Sequence, residues 1–125
     1  MAVTHAAALR DVLCNAAVDS IDNGAAAGTL EFQTAASAEV ATLTFSDPAY
    51  GAASSATATA SAITSDTDAA GGTITKAVQQ DSDGNDKILC SVTATGGGGD
   101  IELSSVVVSA GQTVSMSSLT YTAPA

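Results

Sequence analysis

The chain has 125 residues, enough for one domain around a single hydrophobic core. Its formal net charge is −10 with only three basic residues, which argues against a nucleic-acid surface and against binding to an anionic membrane. Apolar residues make up 46% of the chain but aromatic residues only 3%, so much of the apolar share is alanine and the predicted core is thin. We therefore expect contacts with copies of the chain or with a partner to supplement that core.

The two cysteines, Cys14 and Cys90, lie far apart in the sequence and show no metal-binding spacing. The N-terminus shows no secretory signal pattern, and no apolar run reaches the length of a membrane span. We expect a soluble protein in a reducing compartment with two free thiols, a disulfide being the alternative.

One amphipathic helix is predicted over residues 4–22, with Thr4 as its N-cap and Gly24 just beyond its end. We expect the apolar stripe to dock onto the rest of the domain and the polar face to meet solvent. The stripe comprises Leu9, Leu13, Ala16, Ala17 and Ile21, with Val12 beside it, and the polar face carries Arg10, Asp11, Asn15, Asp19 and Asp22. Residues 23–28 are predicted to be a linker.

From Thr29 onward the pattern predicts strands only. The runs 28–33 and 40–48 alternate apolar and polar residues, contain both phenylalanines and are predicted to form a hairpin. Residues 55–63 alternate alanine with Ser and Thr, which predicts a strand with a shallow alanine face. We expect the N-terminal helix or a neighbouring subunit to fill that face.

The second half of the chain continues this pattern. Residues 73–80 and 87–95 are predicted to form a hairpin around the turn 81–86, with Ile88, Cys90 and Val92 on one face. The glycine run 96–99 is predicted to be a mobile tip, followed by strands over 100–109 and 112–122. The fold class is therefore mainly β, a single domain with the N-terminal α-helix packed on an antiparallel β-sandwich of about seven short strands over 29–122.

Several of these segments resemble a family of small virion-associated proteins of tailed bacteriophages. The resemblance rests on Leu30-Glu31-Phe32, on the strand 40–48, on the turn 81–86, and on Gly99-Asp100-Ile101-Glu102-Leu103 followed by Ala110-Gly111-Gln112-Thr113-Val114. It covers most of residues 5–122, and its motifs are structural. The resemblance implies a head decoration, or cement, protein that binds in many copies to the shell of major capsid protein and contacts copies of itself. It implies a location on the capsid surface, after assembly in the cytoplasm of the bacterial host.

The acidic turn Asp81, Asp83, Asn85 and Asp86 offers oxygen ligands around a glycine, as calcium loops do. The bidentate glutamate of such loops is missing at the expected distance. The alternative is a hairpin turn in which Gly84 supplies a positive φ and the Asx side chains accept hydrogen bonds from backbone amides. Asp66 and Asp68 form a similar loop with a weaker case for metal.

No catalytic constellation is predicted, and no cofactor. His5 has no second histidine to complete a triad or zinc site, and the thiols of Cys14 and Cys90 have no base beside them in sequence. The run 96–99 lacks the Lys-Ser or Lys-Thr and the helix of a phosphate loop. We expect a non-enzymatic virion protein, with a neck, tail or fibre component or a host-glycan-binding module as the alternatives.

Overall fold

A computed structural model of the chain describes residues 3–123 and shows a mainly β protein with one N-terminal helix, as predicted. Helix α1 spans Ala7–Asp19, and a single 3₁₀ turn, Ser20–Asp22, extends it. The strands of the described chain are β1 Thr29–Gln33, β2 Glu39–Thr44, β3 Thr57–Thr59, β4 Gly72–Thr73, β5 Lys76–Gln80, β6 Asp86–Ala94, β7 Ile101–Leu103, β8 Val107–Val108 and β9 Thr120–Thr122.

The main sheet has five strands in the order β2-β1-β5-β6-β7. Its two predicted hairpins, β1–β2 and β5–β6, are confirmed, and both are antiparallel. The pairing aligns Leu30 with Leu43 and Phe32 with Ala41, so one face of the sheet carries the larger apolar residues. Leu30, Phe32 and Leu43 are fully buried and form the centre of the core, which is where the alternation placed them.

The prediction of a wholly antiparallel arrangement is wrong at one edge, because β6 and β7 are parallel. The glycine run 96–99 makes this possible by turning the chain back alongside β6. Gly96 and Gly98 have positive φ values of 88° and 80°, which glycine adopts at no steric cost. Their N–H groups donate to the Glu102 carboxylate, so this segment is tied to β7 rather than being a detached tip.

Three predicted strands are much shorter than expected. The segment 55–63 keeps only β3, because Ser55 and Ala56 have positive φ values of 53° and 65° that interrupt an extended chain. The segment 100–109 is divided into β7 and β8, and most of 112–122 is irregular, with only β9 pairing as a strand. Beside the five-stranded sheet, the described chain therefore has two short ladders, β3–β9 and β4–β8, and the predicted sandwich of two full sheets is not seen.

Helix α1 also departs from its predicted bounds. It begins at Ala7, and its N-cap, Ala6, makes no side-chain hydrogen bond, so Thr4 is not the cap. Beyond its end Gly24 has a φ of 102°, as predicted for the glycine that follows a helix. The helix packs against β3 and β9. Ala56 and Ala58, from the alanine face, are buried, and their small side chains let the helix approach the ladder closely.

Candidate docking surface on the helix

The orientation of α1 is the opposite of what its apolar stripe predicted. Three polar or charged side chains of the predicted solvent face turn inward. They bind backbone groups of the β3–β9 ladder and its flanking residues, which we call the β layer. Asp11 Oδ1 accepts the Ala56 N–H at 2.6 Å, and Asn15 Oδ1 accepts the Ala53 N–H at 2.8 Å. The Arg10 guanidinium donates to the carbonyl of Ala123 at 2.8 Å.

These hydrogen bonds explain why the helix sits as it does. The segment 49–56 is mostly irregular, so its backbone N–H groups have no complete ladder to satisfy them. Leaving a buried N–H without a partner costs about 1–3 kcal/mol, and three side chains of the helical segment remove that cost. These three acceptors are Asp11, Asn15 and also Asp22, whose Oδ1 accepts the Ala49 N–H at 2.8 Å.

The apolar contacts of the helix come from a different stripe than predicted. Cys14, Val18 and Ile21, spaced i, i+4 and i+7, are the residues that are buried. This spacing is visible in the sequence as a second stripe, with Asp11, Asn15 and Asp22 beside it at helical intervals, but nothing in the sequence ranks it above the stripe that was predicted. Of the predicted stripe only Ile21 is buried; Leu9, Leu13 and Ala16 are exposed.

The surface left outside is apolar and continuous. Leu9, Val12 and Leu13 are 46%, 61% and 37% exposed and lie at i, i+3 and i+4, so their side chains are neighbours. Ala16 continues the same stripe and is also exposed. We call Leu9, Val12, Leu13 and Ala16 the outer helix face. Full burial of an exposed Leu or Val side chain is worth about 1.5–3 kcal/mol, and part of that remains to be gained here, so this face is a candidate docking surface.

The outer helix face is uncharged although the chain carries a net charge of −10. Between residues 3 and 18 the only acidic or basic residues that the structure describes, apart from His5, are Arg10 and Asp11, and both bind the β layer. A neutral apolar patch on a strongly acidic protein is a site where another protein meets little repulsion.

The turn predicted as a possible calcium loop is built differently. Asp81 is buried, and its carboxylate accepts hydrogen bonds from the Asp83 and Asn85 backbone N–H groups, both at 3.0 Å. It also accepts from the side-chain amides of Asn85 and Asn23 and faces Lys87 Nζ at 3.5 Å. Accepting the Asn85 N–H is the largest of the effects that lower the pKa of Asp81.

The other members of that turn do not join Asp81 as ligands. Asp83 and Asn85 are exposed, and Asp86 Oδ1 accepts from the Gln80 side chain at 2.8 Å. Gly84 has a φ of 83°, as the hairpin alternative requires. In residues 3–123 no three His, Cys, Asp or Glu side chains are arranged to hold a metal ion. Asp66 is likewise occupied, because its Oδ2 accepts the Thr42 N–H at 2.9 Å.

The two thiols and the buried tyrosine form part of the core. Burial raises the pKa of both Cys14 and Cys90, which keeps them protonated and poorly nucleophilic at neutral pH. Both are free. The Tyr50 hydroxyl donates to Gln79 Oε1 at 2.6 Å, and Gln79 Nε2 donates to Cys90 Sγ at 3.7 Å. Burial raises the pKa of Tyr50 as well, so this chain of groups is a neutral structural network.

A cleft of about 450 Å³ lies between β7 and the segment 112–120. Its lining combines apolar residues, among them Ile74 and Val114, with several serine and threonine residues. The two carboxylates on its wall already have partners: Asp100 accepts from Ser91, and Glu102 accepts from the glycine turn. Both carboxylates of the cleft are therefore held in place by hydrogen bonds from neighbouring backbone groups.

No helix among the described residues has both the length and the apolar content needed to span a membrane. Comparison of the chain with models of known protein families, with curated proteins and with solved structures finds no match.

Proposed function

We propose that this chain is a non-enzymatic structural protein of a tailed-phage virion. Its role is that of a head decoration protein, bound in many copies to the shell of major capsid protein on the outside of a particle assembled in the host cytoplasm. Two observations support this role: the resemblance of residues 5–122 to virion-associated phage proteins, and the outer helix face. That face is the observation that carries it, because a chain with a thin, alanine-rich core leaves two leucines and a valine outside.

The chemistry of the described side chains supports a passive role. Asp66 and Asp81, which the sequence offered as metal ligands, are engaged in hydrogen bonds within the fold, and the thiols are protonated. The acidic surface keeps the free protein soluble until it meets its lattice.

The host-glycan alternative is less well supported. Glycan sites stack sugars on exposed aromatic rings, whereas Phe32, Phe45 and Tyr50 are buried and Tyr121 is half-buried. The neck or tail alternative differs from decoration mainly in copy number, and the experiment below separates the two.

The test measures binding of the purified protein to phage shells that lack it, by co-sedimentation and quantitative gel analysis. Wild-type protein is expected to saturate at a copy number comparable to that of the major capsid protein. Val12→Asp puts a charge in the middle of the outer helix face and should weaken binding at least about tenfold, or ~1.4 kcal/mol. Because Val12 is 61% exposed, the variant should keep the wild-type melting temperature.

Val107→Asp is the matched control, since Val107 is 63% exposed but lies on β8, away from the helix. It should bind like wild type. Saturation at the few copies of a neck or vertex would favour the neck or tail alternative. Absence of binding, or equal binding by Val12→Asp and wild type, would overturn the proposal.

A further inference from the structure

Strand β6 has an open edge. It runs for nine residues, and β5 pairs with it on one side from Asp86 to Ser91. On its other side β7 pairs only with residues 92–94. In the part of the chain that the structure describes, no strand covers that side of β6 before Val92.

The backbone groups of Leu89 point toward this open side. In an antiparallel ladder, residues alternate between bonding one neighbour and the other. Val92 N–H bonds Thr75 on the β5 side, whereas Ser91 N–H and Thr95 N–H bond Asp100 and Leu103 on the opposite side. Leu89 therefore directs its N–H and C=O away from β5. Its side chain is 72% exposed.

A structural feature limits the open edge at each end. At one end the Asp100 carboxylate accepts the Ser91 N–H at 2.9 Å. At the other, the β5–β6 register shifts by one residue, which leaves Lys87 as a bulge. Beside this edge lies a cavity of about 380 Å³, lined in part by Ile88, Cys90 and Tyr121. An added strand therefore has a short window, centred on Leu89, and apolar space next to it.

We propose that a second copy of this chain adds its own β6 antiparallel to this edge, so that Leu89 of one copy lies opposite Leu89 of the other. An isologous pair of this kind exchanges two N–H···O bonds between the two Leu89 residues. The pairing extends the main sheet across the two-fold axis and covers both exposed leucines.

The local charges at the window favour a second copy over an unrelated strand, whereas the net charge of −10 on each copy opposes association and is screened by salt. Antiparallel pairing about Leu89 places Lys87 of each copy opposite Ser91 of the other, beside the Asp100 carboxylate that Ser91 binds. Each copy thus has a positive group at one end of the window, the Lys87 ammonium that also lies 3.5 Å from Asp81 of its own chain, and a negative group, Asp100, at the other. The two-fold axis brings each positive group near the negative group of the other copy. Ile88 and Cys90 line the cavity, and in this register Ile88 of each copy lies opposite Cys90 of the other.

The inference concerns the isolated protein and does not depend on the proposed function. The interface is small, so we expect a weak, concentration-dependent dimer in sedimentation equilibrium at protein concentrations up to about 1 mM. Leu89→Lys places two like charges directly opposite each other and should raise the dimer dissociation constant at least about tenfold. Val107→Lys, at an equally exposed valine on β8, should dimerise like wild type.

A cross-linking experiment tests the register itself. Residues in a hydrogen-bonded antiparallel pair have Cα atoms about 5.5 Å apart, which is within the range of a disulfide. Leu89→Cys should therefore form a covalent dimer with oxidised glutathione, while wild type and Val107→Cys stay monomeric on a non-reducing gel. A wild-type monomer at every concentration, a dimer that Leu89→Lys leaves intact, or equal cross-linking of the Leu89→Cys and Val107→Cys variants would overturn the proposal.

Discussion

At the scale of single residues, the Asp81 carboxylate shows how one side chain organises a turn. It is buried and accepts hydrogen bonds from its own turn and from Asn23, 58 residues earlier in the chain. The contact with Asn23 joins the end of the helical segment to the β5–β6 hairpin. Ionised Asp81 therefore stabilises both the turn and the connection between two elements.

Stability should fall in acid because of this residue. These hydrogen bonds lower the pKa of Asp81 in the folded protein below that of an unfolded aspartate, which is about 3.9. The stabilisation of the fold by ionised Asp81 is complete above the pKa of the unfolded state. It is lost as the pH falls through the lower pKa of the folded state. Asp81→Asn should lower the melting temperature by several degrees at neutral pH and flatten its decline below about pH 4.

The matched control is Asp83→Asn in the same turn, because the Asp83 side chain is exposed. Calorimetry from neutral pH to below about pH 4 should show the same dependence of melting temperature on pH for Asp83→Asn as for wild type. If Asp81→Asn also kept the wild-type profile, the role assigned to the buried carboxylate would be wrong.

At the scale of elements, α1 depends on polar contacts for its position. Asn15 faces the β layer and satisfies the Ala53 N–H, while Val12, one turn earlier, faces outward. Asn15→Ala should lower the free energy of unfolding by about 1–2 kcal/mol, because it leaves that N–H without its acceptor. Urea denaturation measures the change.

Val12→Ala provides the comparison on the same helix. It removes an exposed side chain, so the free energy of unfolding should stay within about 0.5 kcal/mol of wild type. A reversed order, with Val12→Ala the more destabilising variant, would mean that the helix docks through the stripe that the sequence first indicated.

At the scale of the whole molecule, charge is the dominant feature. The chain has thirteen acidic and three basic residues. Among its described residues the structure has one ion pair, Lys87 with Asp81. Such an excess of one sign destabilises the compact state through repulsion between like charges. Added salt screens that repulsion, since the Debye length falls from about 10 Å at 0.1 M to about 3 Å at 1 M.

We therefore expect the melting temperature to rise by several degrees as sodium chloride increases over that range. Differential scanning fluorimetry at neutral pH measures it, and potassium chloride should give the same rise, because the screening depends on ionic strength. A melting temperature that fell with salt would show that attractive pairs outweigh the excess of like charges.

The alternation of apolar and polar residues was enough to predict the mainly β class, the two main hairpins and the centre of the core. Alternation with a period of two assigns Leu30, Phe32 and Leu43 to one face whatever the rest of the chain does, because the direction of a strand side chain follows from local geometry. The turn at Gly84 was predicted on equally local grounds.

The buried face of α1, and with it the candidate docking surface, is set by contacts with distant segments of the chain. Two stripes on the helix were compatible with packing, and the choice between them depended on the N–H groups of Ala53 and Ala56, which lie 38 and 45 residues away from their acceptors. Likewise, the open edge at Leu89 exists because the glycine turn returns the chain beside Val92 and no earlier. Both features come from the matching of hydrogen-bonding groups between distant segments, and a pattern read along the chain does not contain that information.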